Sequence, residues 1–161
     1  MKLIFLSKLI LPVLIAILIL FNAQPLQAHL VSDEDIKEKD VPVAVVKAIK
    51  DKYADIYIYN WEWSKKKNYY RATFVFKGDE YKLYLNPAGQ ISKTDKKTQF
   101  AVLPSNIRDS FGQTEFASWF VSEAREITEN DITVYQIKVK NDKKWKLKFD
   151  SAGKLIKNEK D

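Results

Sequence analysis

Val41, Val45, Ile49 and Tyr53 recur at every fourth residue, the spacing that lines one stripe of an α-helix. Pro42 stands at the start, where its missing N–H would lack a partner anyway. Beyond residue 56 the period changes to two. Tyr59, Trp61 and Trp63 alternate with Asn60, Glu62 and Ser64, which predicts a half-buried strand with its aromatic side inward. Lys65-Lys66-Lys67-Asn68 is a turn. Over residues 69–76, Tyr70, Ala72, Phe74 and Phe76 alternate with Arg71, Thr73 and Val75, and over 81–85 Tyr81, Leu83 and Leu85 continue the pattern. Lys77-Gly78-Asp79 between them reads as a tight hairpin turn. Asn86-Pro87-Ala88-Gly89 turns the chain again, into a short fourth strand at 90–92.

The same order then returns. A second helix from Pro104 buries Leu103, Ile107 and Phe111, a strand falls within 117–126, and Asn130-Asp131 turns. Tyr135, Ile137 and Val139 point inward along 132–140, Asn141-Asp142 turns, and Trp145, Leu147 and Phe149 line the next strand. Asp150-Ser151-Ala152-Gly153 leads into Leu155-Ile156. Tyr81 to Gly89 is matched 64 residues later by Trp145 to Gly153, and Val41-Pro42 is matched 62 residues later by Leu103-Pro104. Two motifs repeated in one order at nearly one spacing indicate a duplicated module. The predicted fold is α+β: two tandem repeats, residues 41–95 and 96–161, each of one helix and about four antiparallel strands. The helices pack on one face of the sheet. Tyr70, Phe74, Leu83, Ile137, Leu147 and Phe149 are predicted core residues. The polar, lysine-rich stretch 93–100 reads as the link, and 29–40, without an apolar face, as a frayed leader.

Residues 1–28 have the layout of a secretory signal peptide: Lys2 and Lys8, an apolar run over 9–21, then Ala28 at a cleavage position. That run is shorter than the roughly 20 residues of a spanning helix, so the reading is an exported, periplasmic or extracellular chain with no stable membrane insertion after cleavage. The 161 residues include no cysteine, which leaves no thiol for lipid attachment or disulfides. Stability must come from burial, and 13% aromatic content supplies it. Loss of Lys2 and Lys8 takes the formal charge from +6 to +4, mildly basic and compatible with an acidic partner.

Val41-Pro42 opening a helix, Trp61-Glu62, Tyr70-Arg71-Ala72-Thr73-Phe74, and Tyr81-x-Leu83-x-Leu85-Asn86-x-x-Gly89 together resemble the PepSY-like family, described as β-lactamase-inhibitor-like and exported mainly by Bacteroidetes-type bacteria. The resemblance spans residues 41–157 and includes the duplication. Ala54 stands where the family often has proline, and the second repeat has no clear Trp-Glu, offering Ser122-Glu123 or Ala124-Arg125. That leaves the register of its first strand open. The resemblance implies α+β units whose sheet presents an uncovered face to a protein, and it carries over no catalytic residue.

The inventory argues against catalysis. His29 is the single histidine and lies beside the expected cleavage point, so a nucleophile–histidine pair would depend on it alone. The four glycines fit no nucleophile elbow or phosphate loop, and no His or Cys cluster offers a transition-metal site. No cofactor is expected. Asp33-Glu34-Asp35 reads as solvated leader, and Asn86 and Asp150 as turn caps rather than calcium ligands.

Parity leaves these residues outward, opposite the core: Arg71, Thr73, Val75, Lys82 and Tyr84 in the first repeat, and Gln136, Lys138, Lys140, Lys144, Lys146 and Lys148 in the second. One account is a face kept soluble by charge. The sharper account is a docking surface, Arg71, Lys82, Tyr84, Lys138, Lys146 and Lys148, for an acidic protein or peptide of the cell envelope, with inhibition of a peptidase or another envelope protein as one use. Two further readings stand beside it: a carbohydrate-binding module using Trp61 and Trp63, and an enzyme using carboxylates such as Glu62 and Glu123. Nucleic acid does not fit an exported chain whose lysines lack interleaved aromatics, and nothing in the sequence signals an oligomer, so a monomer is expected.

Overall fold

The computed structural model describes residues 33–161; the signal-peptide reading of 1–28, and His29, lie outside them. One antiparallel sheet of nine strands runs in chain order: β1 (Glu34–Ile36), β2 (Ile58–Ser64), β3 (Tyr69–Phe76), β4 (Asp79–Leu85), β5 (Ile91–Thr98), β6 (Phe120–Glu129), β7 (Ile132–Lys140), β8 (Lys144–Asp150) and β9 (Leu155–Lys160). Helix α1 (Val43–Lys52) lies between β1 and β2, and α2 (Ser105–Gly112) between β5 and β6. Each helix therefore precedes four strands, as the repeat predicts.

The two halves are built by the same devices. Pro42 and Pro104 stand one residue ahead of their helices, and their carbonyls accept the first helical N–H groups, from Val45 and Val46 and from Ile107 and Arg108. Two-residue turns join β3 to β4 at Lys77-Gly78 and β6 to β7 at Asn130-Asp131. All four residues have positive φ, the backbone that matches the twist of a hairpin. The Asn86 and Asp150 side chains cap equivalent turns. Asn86 Oδ1 accepts the N–H groups of Ala88 and Gln90, and Asp150 Oδ1 those of Ala152 and Lys154.

Burial follows the predicted parity. Val45, Ile49, Trp61, Phe74, Leu83 and Leu85 form one core under α1; Ile107, Phe111, Ile137, Val139, Leu147 and Phe149 form a second under α2. Tyr70 is only partly buried, its ring 4.3 Å from that of Trp63. Phe116, in the loop after α2, completes the second core.

Four expectations are corrected. The leader is not frayed: Glu34, Asp35 and Ile36 pair with Trp63, Glu62 and Trp61 as β1, anchored by Ile36 against the first core. The polar link is a strand. β5 continues to Thr98 and is laddered on both sides, to β4 and β6. It shows no apolar alternation because its helix-side residues lie between the two cores, where Lys96 meets Asp79 at 3.4 Å and Glu126 at 3.9 Å. The division at residue 95 thus falls inside a strand. Tyr59 does not share a face with Trp61. A bulge between Ile58 and Asn60 resets the alternation, sending Ile58 and Trp61 inward and leaving Tyr59 49% exposed. Finally, the first strand of the second repeat runs from Phe120 to Glu129, later than predicted, with a bulge between Val121 and Glu123.

Candidate functional site: the uncovered face of the sheet

Both helices pack on one face of the sheet, and the opposite face carries the candidate residues. Cross-strand partners share a face, so the register lays this surface out in rows. One row reads Glu62, Arg71, Tyr84, Lys93, Glu129 from β2 to β6. The next reads Thr73, Lys82, Asp95, Ile127, Val134, Asp150 from β3 to β8. A third reads Glu80, Lys97, Arg125, Gln136, Lys148, Lys157 from β4 to β9. A fourth reads Glu123, Lys138, Lys146, Glu159. Arg71 and Tyr84 are direct cross-strand neighbours, as are Lys138 and Lys146. Lys82 and Lys148 lie on separate rows between these pairs.

Tyr84 is the aromatic centre of the first-repeat side. Arg71 and Lys93 stand 5.8 and 5.3 Å from its ring centroid, within cation–π reach, and Tyr69 meets it edge-on at 5.1 Å. With Asp33, Lys67, Ser92 and Glu129 these residues line a cleft of about 290 Å³. Arg71 is ion-paired with Glu62 and lies 3.7 Å from Asp33. A hydrogen bond from Ser64, helped by Tyr69 and Arg71, holds the Asp33 carboxyl below its usual range.

The second-repeat side is not a bare field of lysines. Lys138 lies 3.0 Å from Asp161, and Lys146 lies 3.3 Å from Glu159 and 3.5 Å from Asp161. Arg125, with its side chain only 14% exposed, grips Glu123 through Nε at 2.8 Å and reaches Asp95 through Nη1 at 2.8 Å. That grip holds the Glu123 carboxyl below its ordinary range against the opposing effect of burial, with Lys138 and Lys97 adding to it. Sequence reasoning named Glu123 only as a candidate catalytic carboxylate and did not set these acids beside the lysines. Extending the alternation to Lys157, Glu159 and Asp161 would have found the β9 carboxylates, whereas a count by twos from the start of β6 crosses the bulge and puts Glu123 on the wrong face.

The face does not bring the two candidate carboxylates together. Glu62 and Glu123 sit on β2 and β6, four strand spacings apart, or about 19 Å, too far to act as a carboxylate pair on one bond. Each is held by an arginine. Trp61 is 4% exposed and Trp63 stacks on Tyr70, both on the helix side, so neither forms a platform for a sugar. Among the described residues no group of His, Cys, Asp or Glu is arranged to hold a metal ion, and no helix is long and apolar enough to cross a membrane.

The profile of the family described as "Putative beta-lactamase-inhibitor-like, PepSY-like" matches the chain twice, over residues 30–93 and 68–157. The chain belongs to this family. The two matches overlap over residues 68–93 and are consistent with two repeats. The fold is shared with solved structures of low identity. A BLIP-like protein of Bacteroides fragilis is 20% identical, with 74% of this chain and 86% of that one aligned at a TM-score of 0.63. A DUF2874 family protein of Bacteroides ovatus is 23% identical, with 74% and 87% aligned at 0.64. A protein of Bacteroides eggerthii described as periplasmic is 20% identical, with 74% and 88% aligned at 0.65. No curated protein matches the chain. The family is described as β-lactamase-inhibitor-like, and in this chain one broad sheet face is left open by the helices.

Proposed function

We propose that the protein is an exported, non-catalytic binding module that takes an acidic protein of the cell envelope onto the uncovered face of its sheet. The observation that carries this reading is an imbalance of pairing. Glu62, Asp95, Glu123, Glu129, Glu159 and Asp161 each already face an arginine or lysine. Lys82 and Lys148 have no carboxylate within 4 Å among the described residues. On the same rows Glu80 accepts the Tyr59 hydroxyl and Asp150 caps its own turn, so the two lysines are the charged groups left without a partner, and a protein that supplies carboxylates there completes the pattern already built into the rows. Tyr84, held between two cations, offers the aromatic anchor such surfaces concentrate their affinity on. Holding an envelope enzyme inactive, a peptidase for instance, is a use consistent with the family's inhibitor-like description. Export is supported by the signal-like pattern of residues 1–28 and by the description of a fold relative as periplasmic.

The test is capture from an envelope extract, with the protein compared against Lys82→Glu/Lys148→Glu and Tyr84→Ala. The wild type should retain a defined acidic protein at low salt and release it as ionic strength rises. The variants should melt normally and lose that protein. If the double reversal retains every protein the wild type retains, with the same salt dependence, the face is only a solvated surface.

A further inference from the structure

Among the described residues the sheet has two open edges, β1 of three residues and β9 of six. The β9 edge has a specific polarity. Asp161 donates its backbone N–H to the Lys144 carbonyl at 3.1 Å, and in the same register Glu159 faces Lys146 and Lys157 faces Lys148. Backbone direction alternates along an antiparallel strand. Lys157 and Glu159 therefore also turn their N–H and C=O groups toward β8, and Asn158 and Lys160 turn theirs toward the open edge. Side chains alternate too: Lys157 and Glu159 stand on the outer face, and Asn158, opposite Leu147, on the helix side.

These alternations make the edge complementary to itself. Laid antiparallel against a second copy and centred on Asn158, the edge pairs Asn158 with Asn158, and both outward N–H groups find outward carbonyls. Lys157 then lies opposite Glu159 of the other copy, and by symmetry this pair forms twice. Of the neighbouring registers that also satisfy the backbone, one sets Lys157 against Lys157, and the other sets Glu159 against Glu159 while bringing Lys157 opposite Asp161. Like charges directly opposite are unfavourable, and the Asn158-centred register is the one with two opposite-charge pairs and no like-charge pair. Lysines at an edge ordinarily discourage pairing; here the Lys-Asn-Glu order favours one register, because each neighbour carries a like-charge contact that it lacks.

We propose that β9 is a self-recognition edge, joining two copies of the chain antiparallel about a two-fold axis at Asn158. A contact one strand wide is small, so the dimer is weak and reversible. Being isologous, it closes at two and does not propagate. The proposal is independent of what the outer face binds.

Sedimentation velocity on the intact exported protein, over a concentration series reaching the millimolar range, tests it. The expected result is a monomer–dimer equilibrium with no larger species. Asn158→Pro removes the outward N–H while leaving the ladder to β8 intact; it should keep the wild-type circular dichroism and remain monomeric. Lys157→Glu alone and Glu159→Lys alone should each weaken the dimer roughly tenfold by opposing like charges. The two together should restore it to within about threefold, because the pair re-forms with its signs exchanged. The charge variants decide the matter if the proline variant misfolds. A protein monomeric throughout the series overturns the proposal, as do species growing past dimer (β9 pairing with the acidic β1 edge instead), an Asn158→Pro dimer of wild-type strength, or a charge exchange that fails to restore association.

Discussion

A Cβ atom placed on Gly89 would stand 2.6 Å from the carbonyl oxygen of Ala44, on the helix of its own repeat, and one placed on Gly153 would stand 2.8 Å from Ser110 Oγ and 3.0 Å from the Asn106 carbonyl oxygen. Both glycines have positive φ, 84° and 93°. The turn after the third strand of each repeat is thus pressed against its helix where only a glycine fits. Gly89→Ala should cost roughly 2–4 kcal/mol in urea unfolding, combining left-handed backbone strain with overpacking. Gly78, at φ 88° but with nothing within 4 Å of its Cβ position, is the control. Gly78→Ala should lose only the backbone part, about 1 kcal/mol.

Phe74 and Phe149 are fully buried and belong to separate cores. Phe74→Ala and Phe149→Ala should each destabilise by about 3–5 kcal/mol. Since the two share no contact cluster, the double variant should lose close to the sum of the single losses. Strong non-additivity by denaturant titration would mean that the cores communicate through the β5–β6 ladder.

The Arg125–Glu123 pair makes a prediction about acid. Glu123 is held below its unfolded-state value of 4.5, so its contribution is fully present above that value. It is lost as pH falls from there through the lower folded-state value. Melting temperature should decline below pH 4.5 in the wild type. Glu123→Gln should be less stable at neutral pH and show a shallower decline on the acid side, measured by a pH series of thermal melts.

Trp61 is buried whereas Trp63, Trp119 and Trp145 are partly accessible. Acrylamide should therefore leave one component of the tryptophan emission unquenched, and Trp61→Phe should remove it. Soluble glycans should leave the spectrum unchanged. A glycan-dependent shift would reopen the sugar-binding reading.

What the sequence disclosed, and what it withheld, has a common cause. Strands with one buried face write their alternation in apolar residues, so the registers of Phe74, Leu83, Ile137 and Leu147 were legible, and the duplicated turns fixed the repeat. β5 has no core beneath most of it, and a strand stabilised by ladders on both sides and by Lys96 between two carboxylates looks like a linker. Bulges at Tyr59 and between Val121 and Glu123 break the parity that the reading depends on. The six candidate residues do share one face. Their counter-ions escaped because Glu123 lies past a bulge and Asp161 at the end of an edge strand that carries little apolar pattern.

The strand order has a kinetic meaning. Every ladder joins neighbours along the chain, so each pairing step closes a short loop, and the two longest closures are those that span the helices. Non-local β pairing is what ordinarily slows β-rich chains, and little of it is required here. Hairpins β3–β4 and β6–β7, closed by two-residue turns whose backbone already favours them, are natural starting points from which each repeat can zip outward. The β5–β6 ladder then forms as the seam where two nearly independent folding events meet.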